Sequence, residues 1–319
     1  MDHNNYCIHY RNLKYIVGLG VEIKKVHNIV SFKQKPWLQE YIDFNTEKRK
    51  QAKNEFEKDF FKLMNNSVLG KTMENIKNRV NIHATTSEQN AVKWFSKIHM
   101  KGAKYFSGLY LIEMFKEEVL YDEPLYVGAS ILDLSKLCMM EFHYDVIEEE
   151  FSNRYELIYS DTDSMVYNFK HPDIYDWIKN NKNHFDLSES ERPDLKNNTN
   201  KKVLGKFKDE NNSLLITEFL ALNPKVYSFK YQHELESTET KNKKTLKGVS
   251  KVVVKKEIDH KDYVNVLETD KKIDKTVTSI RSFNHQLFTY VQNKTALTSY
   301  YDKMMMLDNN TCVPFGYLN

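Results

Sequence analysis

The stretch Leu157-Ile158-Tyr159-Ser160-Asp161-Thr162-Asp163-Ser164-Met165-Val166-Tyr167 decides how the chain is read. β-Branched and aromatic residues on both arms predict two strands, joined by a tight polar turn that carries Asp161 and Asp163. Backbone pairing would fix the direction of the two carboxylates. Like charges that close repel unless a cation lies between them, and Mg²⁺ or Mn²⁺ is the natural occupant. Spacing alone leaves a solvated hairpin turn and a sugar-nucleotide site of the Asp-x-Asp kind open as readings. A calcium loop is excluded, because Met165 and Val166 stand where an oxygen ligand and a glycine are needed.

Composition frames what can surround this turn. The chain has 319 residues, enough for two or three subdomains, and its 40% hydrophobic and 29% charged content is that of a soluble globular protein. Nine glycines and six prolines are few, so long regular elements are expected. A net charge of only +3 does not announce a nucleic-acid partner, for which a local basic groove matters more than the total. Cys7, Cys138 and Cys312 lie far apart and give neither a zinc motif nor a disulfide framework. A reducing compartment, nucleus or cytoplasm, is expected. No apolar run reaches the ~18 to 20 residues that span a bilayer, so no membrane association is expected. The polar start Met1-Asp2-His3-Asn4-Asn5 has no signal-peptide core.

Upstream of the turn, Tyr15, Val17, Val26, Ile29 and Val30, with Gly18 and Gly20 between them, predict a pair of strands over residues 11–33. From Pro36 to Leu69 no glycine interrupts a Lys-, Glu-, Gln- and Phe-rich stretch, which predicts two helices with Asn45 or Thr46 as the internal N-cap. Lys58, Lys62 and Asn66 recur at four-residue spacing and share one face of the second helix. Phe56, Phe60, Leu63 and Met64 form a neighbouring apolar face, read as core. The lysine stripe is either a solvated face or a set of cations for a triphosphate, with the small Ser67 and Gly70 admitting a base pair. Between residues 71 and 121, Trp94, Phe95, Tyr105, Phe106 and Tyr110 alternate with lysines, as a core or as a surface that stacks on nucleic acid. Ile131, Leu134, Leu137, Cys138 and Phe142 predict a helix ending near Val146 and packing beneath the sheet of the acidic turn.

Downstream, residues 171–202 end in an Asn- and Lys-rich loop. Strands are predicted at Val203–Phe207, Leu214–Phe219 and Pro224–Phe229. On the last of these Lys225 and Tyr227 would share a face, placing an ammonium and a phenol together against a phosphate backbone. The lysine-dense interval from Lys241 to Lys256, broken at Lys247-Gly248, is a solvated face or a contact for duplex phosphates. A helix is predicted from Val277 to Met306.

Three of these stretches, taken in order, carry a resemblance. Lys62-x-x-x-Asn66-Ser67-x-x-Gly70, then Tyr159-Ser160-Asp161-Thr162-Asp163-Ser164, then Lys225-Val226-Tyr227 resemble the fingers, palm and Lys-x-Tyr signatures of family B DNA polymerases. Lys71-Thr72-Met73-Glu74-Asn75 and Gly205-Lys206-Phe207-Lys208-Asp209-Glu210 are similar to the protein-primed branch found in Polinton/Maverick elements and related viruses. Asp302-Lys303 and Pro314-Phe315-Gly316 resemble the close of such element-encoded enzymes. The resemblance runs over nearly the whole chain and sets the sugar-nucleotide reading aside.

It implies an α+β right-hand architecture: palm remainder at 1–40, fingers helices at 41–80, a DNA-encircling insertion at 81–121, palm with the catalytic hairpin at 122–235, and a helical thumb at 236–319. The implied reaction is DNA-directed nucleotidyl transfer from a dNTP to a primer 3′-hydroxyl, with carboxylates holding two Mg²⁺ or Mn²⁺ ions. Asp163 would ligate metal directly, and Asp161 would serve as a second or auxiliary ligand. Lys62, assisted by Lys58, would neutralise the triphosphate, and Asn66, Ser67 and Gly70 would line the nascent base pair. Tyr159, Thr162, Ser164, Lys225 and Tyr227 would shape the turn and hold the primer strand, and Lys136 would face template or primer. Partners would be primer–template DNA, dNTP and a terminal priming protein, with the chain a monomer. The sequence departs from the family in two places. Leu69 stands where an aromatic residue usually precedes the motif's glycine, and no Asp-x-x-Ser-Leu-Tyr-Pro string precedes Lys62. The expectation is therefore a carboxyl-terminal portion whose two-ion site needs an upstream Asp, inactive alone; the alternative is a truncated element remnant that binds DNA without catalysis.

Overall fold

The computed structural model describes residues 4–232, 240–283, 286–301, 303–307 and 312–314. It is of mixed α+β class, with small antiparallel sheets, and divides into two compact units. One unit is Cys7–Leu137; the other is Cys138–Asn319 together with Met1–Tyr6.

The first unit opens on helix α1 (Tyr10–Gly18), capped by His9, whose ring accepts from the Arg11 amide. The expected strand pair over 11–33 is thus corrected. Leu13, Ile16 and Val17 recur at helical spacing, which outweighs the short alternation of Tyr15 and Val17. Residues 21–36 form no regular element, and Val26, Ile29 and Val30 stand exposed. A strand without a partner has nothing to stabilise it in water.

Two helices follow, as expected: α2 (Gln39–Gln51) and α3 (Glu55–Thr72). The N-cap between them is Asn54, not Asn45 or Thr46. Its Oδ1 accepts from the Glu57 amide at 2.8 Å while the Glu57 carboxylate accepts from the Lys53 amide at 2.9 Å. Asn45 and Thr46 serve the helix pairing instead. Asn45 is buried with its amide on the Tyr41 carbonyl, and Thr46 Oγ1 accepts from Asn65 at 3.2 Å. That polar seam also corrects the assignment of the apolar face. Because α3 meets α2 through Asn65, Phe56, Phe60 and Leu63 point outward, and Phe56 is 79% exposed.

The remainder of this unit is a three-stranded antiparallel sheet in the order β1-β3-β2, formed by β1 (Asn81–Thr85), β2 (Met100–Phe106) and β3 (Leu109–Met114), with α4 (Glu88–Phe95) across it. Ser107 and Gly108, both at positive φ, make the two-residue β2–β3 turn. Ala91, Ile112 and Met114 form its core, with Trp94, Met100 and Tyr110 against them, while Phe95, Tyr105 and Phe106 stay exposed. The aromatic-and-lysine stretch is therefore part core and part surface. Helix α5 (Leu125–Glu141) begins where Gly128 meets the end of α3, and a Cβ there would collide with the Met73 side chain and Thr72 Oγ1.

The second unit supports the acidic turn. A wide π-helical turn, Phe142–Glu148, and α6 (Glu149–Phe151) extend the expected helix beyond Val146. Phe142, Ile147 and Phe151 pack with Trp177, Phe185 and Leu187 beneath Met165, Tyr167 and Phe169. The predicted hairpin lies directly above: β4 (Tyr155–Asp161) pairs with β5 (Ser164–Phe169). After α7 (Ile174–Asn180) the chain makes a loop held by polar contacts. Asp186 accepts from the Ser188 and Lys202 amides, and Glu189 pairs with Lys202 and Lys208. The expected strand at Val203–Phe207 is corrected to a single bridge, Phe185 to Phe207, because the lysines and Asp186 there bond to the loop rather than to a ladder.

A second antiparallel sheet, in the order β6-β7-β8, is built from β6 (Leu215–Asn223), β7 (Val226–Gln232) and β8 (Lys241–Leu246). Helices α8 (Lys251–Glu257) and α9 (His260–Thr269) cover it, with Leu246, Val254, Ile258, Tyr263, Val266 and Leu297 as core. The fully buried Ser228 and His260 clamp α9 to the sheet: His260 Nδ1 lies 2.9 Å from Ser228 Oγ, and Nε2 lies 2.8 Å from Glu218.

The helix expected from Val277 to Met306 is corrected to a long hairpin, β9 (Ile273–Phe283) with β10 (Gln286–Leu297), followed by β11 (Met304–Met306) paired with β12 (Cys312–Pro314). Val277, Thr278, Ile280, Thr289, Tyr290 and Val291 are β-branched or aromatic and pair across the strands, a preference stronger here than any helical spacing. Asp302, Phe315 and Gly316 lie outside the described residues.

Two substitutions distinguish the packed faces from the exposed one. Phe151→Ala, in the core beneath the hairpin, should lower unfolding stability by about 3–5 kcal/mol, whereas Phe56→Ala should change it by less than about 0.5 kcal/mol. Urea titration of both variants followed by circular dichroism would check this, and equal losses would contradict the outward placement of the α3 face.

Candidate functional site

The β4–β5 turn is two residues long, with Asp161 opposite Ser164. Thr162 holds φ at 56°, a left-handed conformation uncommon for a β-branched residue, and the Asp163 amide donates to the Asp161 carbonyl at 2.6 Å across it. Thr162 Oγ1 donates to Asp161 Oδ1 and Ser164 Oγ donates to the Asp161 carbonyl, both at 3.2 Å. Local hydrogen bonds thus fix the backbone and carboxylate of Asp161, while Asp163 stands exposed. Strain of this kind collects where surrounding contacts over-determine the turn.

A second turn meets the first. Asn223 pairs with Val226, leaving Pro224 and Lys225 as the two turn residues, with Lys225 at φ 63°. Proline followed by a left-handed residue is a type II pattern, in which glycine or asparagine usually takes the second place. Lys225 therefore is not on the strand, and the expected shared face with Tyr227 is corrected. Its contacts account for its presence. The Lys225 amide donates to the Tyr159 hydroxyl at 2.9 Å, and its Nζ donates to both Asp161 oxygens, at 3.0 Å and 2.7 Å. Tyr227, two residues on, packs its ring 5.3 Å from Tyr159 and 5.6 Å from Phe219.

The palm-like and Lys-x-Tyr-like strings, more than sixty positions apart in the chain, are thus one contact set: Tyr159, Asp161, Lys225 and Tyr227. Sequence reading missed Lys247 and Phe219 as neighbours. The Lys247 amide donates to the Lys225 carbonyl at 3.1 Å, and its charge acts on Asp161. Its place at the break of the lysine run was the signal available. The Lys225 hydrogen bond holds the Asp161 carboxyl below its ordinary value against the opposing cost of burial, and the Thr162 hydrogen bond and the fields of Lys225 and Lys247 add smaller pulls in the same downward direction. Asp161 in turn raises the Lys225 ammonium.

In the other unit, Lys58, Lys62 and Asn66 do lie along one face of α3. Lys58 pairs with Glu55 at 3.3 Å, whereas Lys62 and Asn66 are exposed. Ser67 Oγ donates to the Met64 carbonyl at 2.8 Å, and open space surrounds Gly70. Lys136 on α5 lies 3.7 Å from Asp133, which also accepts from the His9 amide.

The donor set decides whether a divalent ion fits the acidic turn. Among the described residues no group of three His, Cys, Asp or Glu side chains converges as a metal site. Asp161 already has both oxygens on an ammonium, which leaves Asp163 as a single exposed carboxylate. As folded, these residues do not fit a divalent ion, still less two. No helix among the described residues is long and apolar enough to cross a membrane. No family model, curated protein or solved structure matches this chain.

Removing the ammonium tests the geometry. Lys225→Ala should move the Asp161 carboxyl up toward its ordinary 3.8. Because the folded-state value is the lowered one, the pair's stabilisation should be complete above pH 3.8 and fade as pH falls through the lowered value. Carboxyl ¹³C NMR titration of both proteins would show it; identical Asp161 curves would contradict the contact.

Proposed function

We propose that this chain acts in template-directed DNA synthesis, holding primer–template DNA in the manner of a protein-primed family B DNA polymerase. The observation that carries this reading is the contact of Lys225 with Asp161 and Tyr159, which joins two separate polymerase-like strings in one place. Lys225 and Tyr227 would grip the primer strand beside Tyr159, Thr162 and Ser164, with Asp161 and Asp163 as the acidic groups at its end. The exposed Lys62 and Asn66, with Lys58, Ser67 and Gly70, would receive the nucleotide, and Lys136 would meet the DNA backbone. A cationic, aromatic-rich surface suits a polyanion that carries stackable bases.

A second reading, DNA binding without catalysis, is favoured by the engagement of both Asp161 oxygens by Lys225. Both readings require binding of primer–template DNA.

Fluorescence anisotropy with a labelled primer–template should show binding at low salt that weakens as salt rises, and about tenfold weaker binding by the Lys225→Ala, Tyr227→Ala double variant. No binding at low salt, or binding unaffected by both changes, would overturn the assignment. Adding Mg²⁺ and dNTPs separates the readings. Extension abolished by Asp163→Ala supports the polymerase, and bound DNA that is never extended assigns the chain to the second.

A further inference from the structure

In the unit Cys7–Leu137 a cavity of about 250 Å³ opens where β1 starts and β3 ends, beside the residues that follow α4. The buried Met114 and the half-buried Trp94 indole form its apolar floor. The His83 ring stacks on Trp94 with centroids 3.6 Å apart and planes 14° from parallel. At that distance the imidazole covers one face of the indole, so the Lys97 ammonium, 4.2 Å from the ring centroid, takes the other. A cation–π contact at an exposed position is weak, and Lys97 is exposed. The face beneath it is a π surface covered only by a movable charge.

We propose that this cavity is a site for one unpaired nucleotide, a planar base carrying a single phosphate. The base displaces the Lys97 ammonium and stacks on Trp94, and the displaced ammonium pairs with the phosphate. One ligand thus satisfies both groups that otherwise cover each other. Asn81 lies on the same face of β1 as His83, and its amide offers a donor and an acceptor to the base edge. Lys116, whose Nζ bonds the Ile76 carbonyl at 3.0 Å, adds a second positive charge. Glu117, 3.4 Å from His99, and Glu118 also line the cavity and repel a polyphosphate, which makes a monophosphate the fitting anion. The volume admits a base with its sugar and excludes a base pair. The nucleotide is either free or an unpaired residue of a single strand. Such a site binds whether or not the chain synthesises DNA.

Trp94 fluorescence reads the site in a Trp37→Phe chain, because the remaining tryptophan, Trp177, is buried. Deoxyadenosine monophosphate should quench it saturably and bind about tenfold more tightly than deoxyadenosine. Lys97→Ala should abolish that preference and leave nucleoside binding intact, whereas Asn81→Ala should weaken both ligands about fivefold. Asn81 and Lys97 are exposed, so neither change touches the core. Single-stranded oligo-dA and a fully paired duplex of the same length identify the source. Quenching by the mononucleotide assigns the site to free nucleotide; quenching by the oligonucleotide alone, weakened about tenfold by Lys97→Ala, assigns it to a strand. No saturable quenching by either, equal quenching by duplex and single strand, or binding indifferent to Lys97 would overturn the proposal. Loss of primer–template binding with the mononucleotide still bound would remove the functional reading above and leave this site standing.

Discussion

The bidentate contact of Lys225 with Asp161 is the interaction on which the arrangement of this site depends. It joins the tips of two hairpins that belong to different sheets, β4–β5 and β6–β7. Each tip carries a non-glycine residue in the left-handed region, Thr162 and Lys225, at a backbone cost of order 1–2 kcal/mol each. The Thr162 turn is closed by its own hydrogen bonds onto Asp161, and the Lys225 turn is engaged through its amide on Tyr159 and its ammonium on Asp161.

The two tips can be held this way because each hairpin is anchored away from its turn. Below β4–β5, Phe142, Phe151 and Trp177 pack against the inward side chains of β5, and His143 Nδ1 lies 2.9 Å from the Tyr167 hydroxyl. Below β6–β7, α9 is locked through Tyr263 and the Ser228–His260–Glu218 contacts. Apolar burial supplies most of the stability in both places, while the polar contacts fix register and direction. The charged residues at the tips are then positioned by packing several residues away.

Legibility in the sequence followed the range of the interactions. The acidic hairpin and the α2–α3 pair were readable because local alternation, the absence of glycine and helix propensity agree there. The helix predicted over 277–306 failed because β-branched residues such as Val277 and Ile280 gain from a partner strand that only the fold supplies. Lys225 shows the limit most clearly. Its Lys-x-Tyr spacing suggested strand alternation, yet Pro224 had already marked a turn, and the partner that stabilises the left-handed lysine lies sixty-four positions away. Tyr159, Asp161, Lys225 and Tyr227 could each be singled out from sequence. That Lys225 would bond both Asp161 oxygens could not.

The central claim is that Asp161 and Lys225 act as one unit. A double-mutant cycle with Asp161→Asn, Lys225→Gln and their combination, read as protection of the backbone amide at position 225 against hydrogen exchange, tests it most directly. The account predicts that each single change strips most of that protection and that the second adds little to the first. Independent, additive losses, or an amide equally protected in all four proteins, would contradict it.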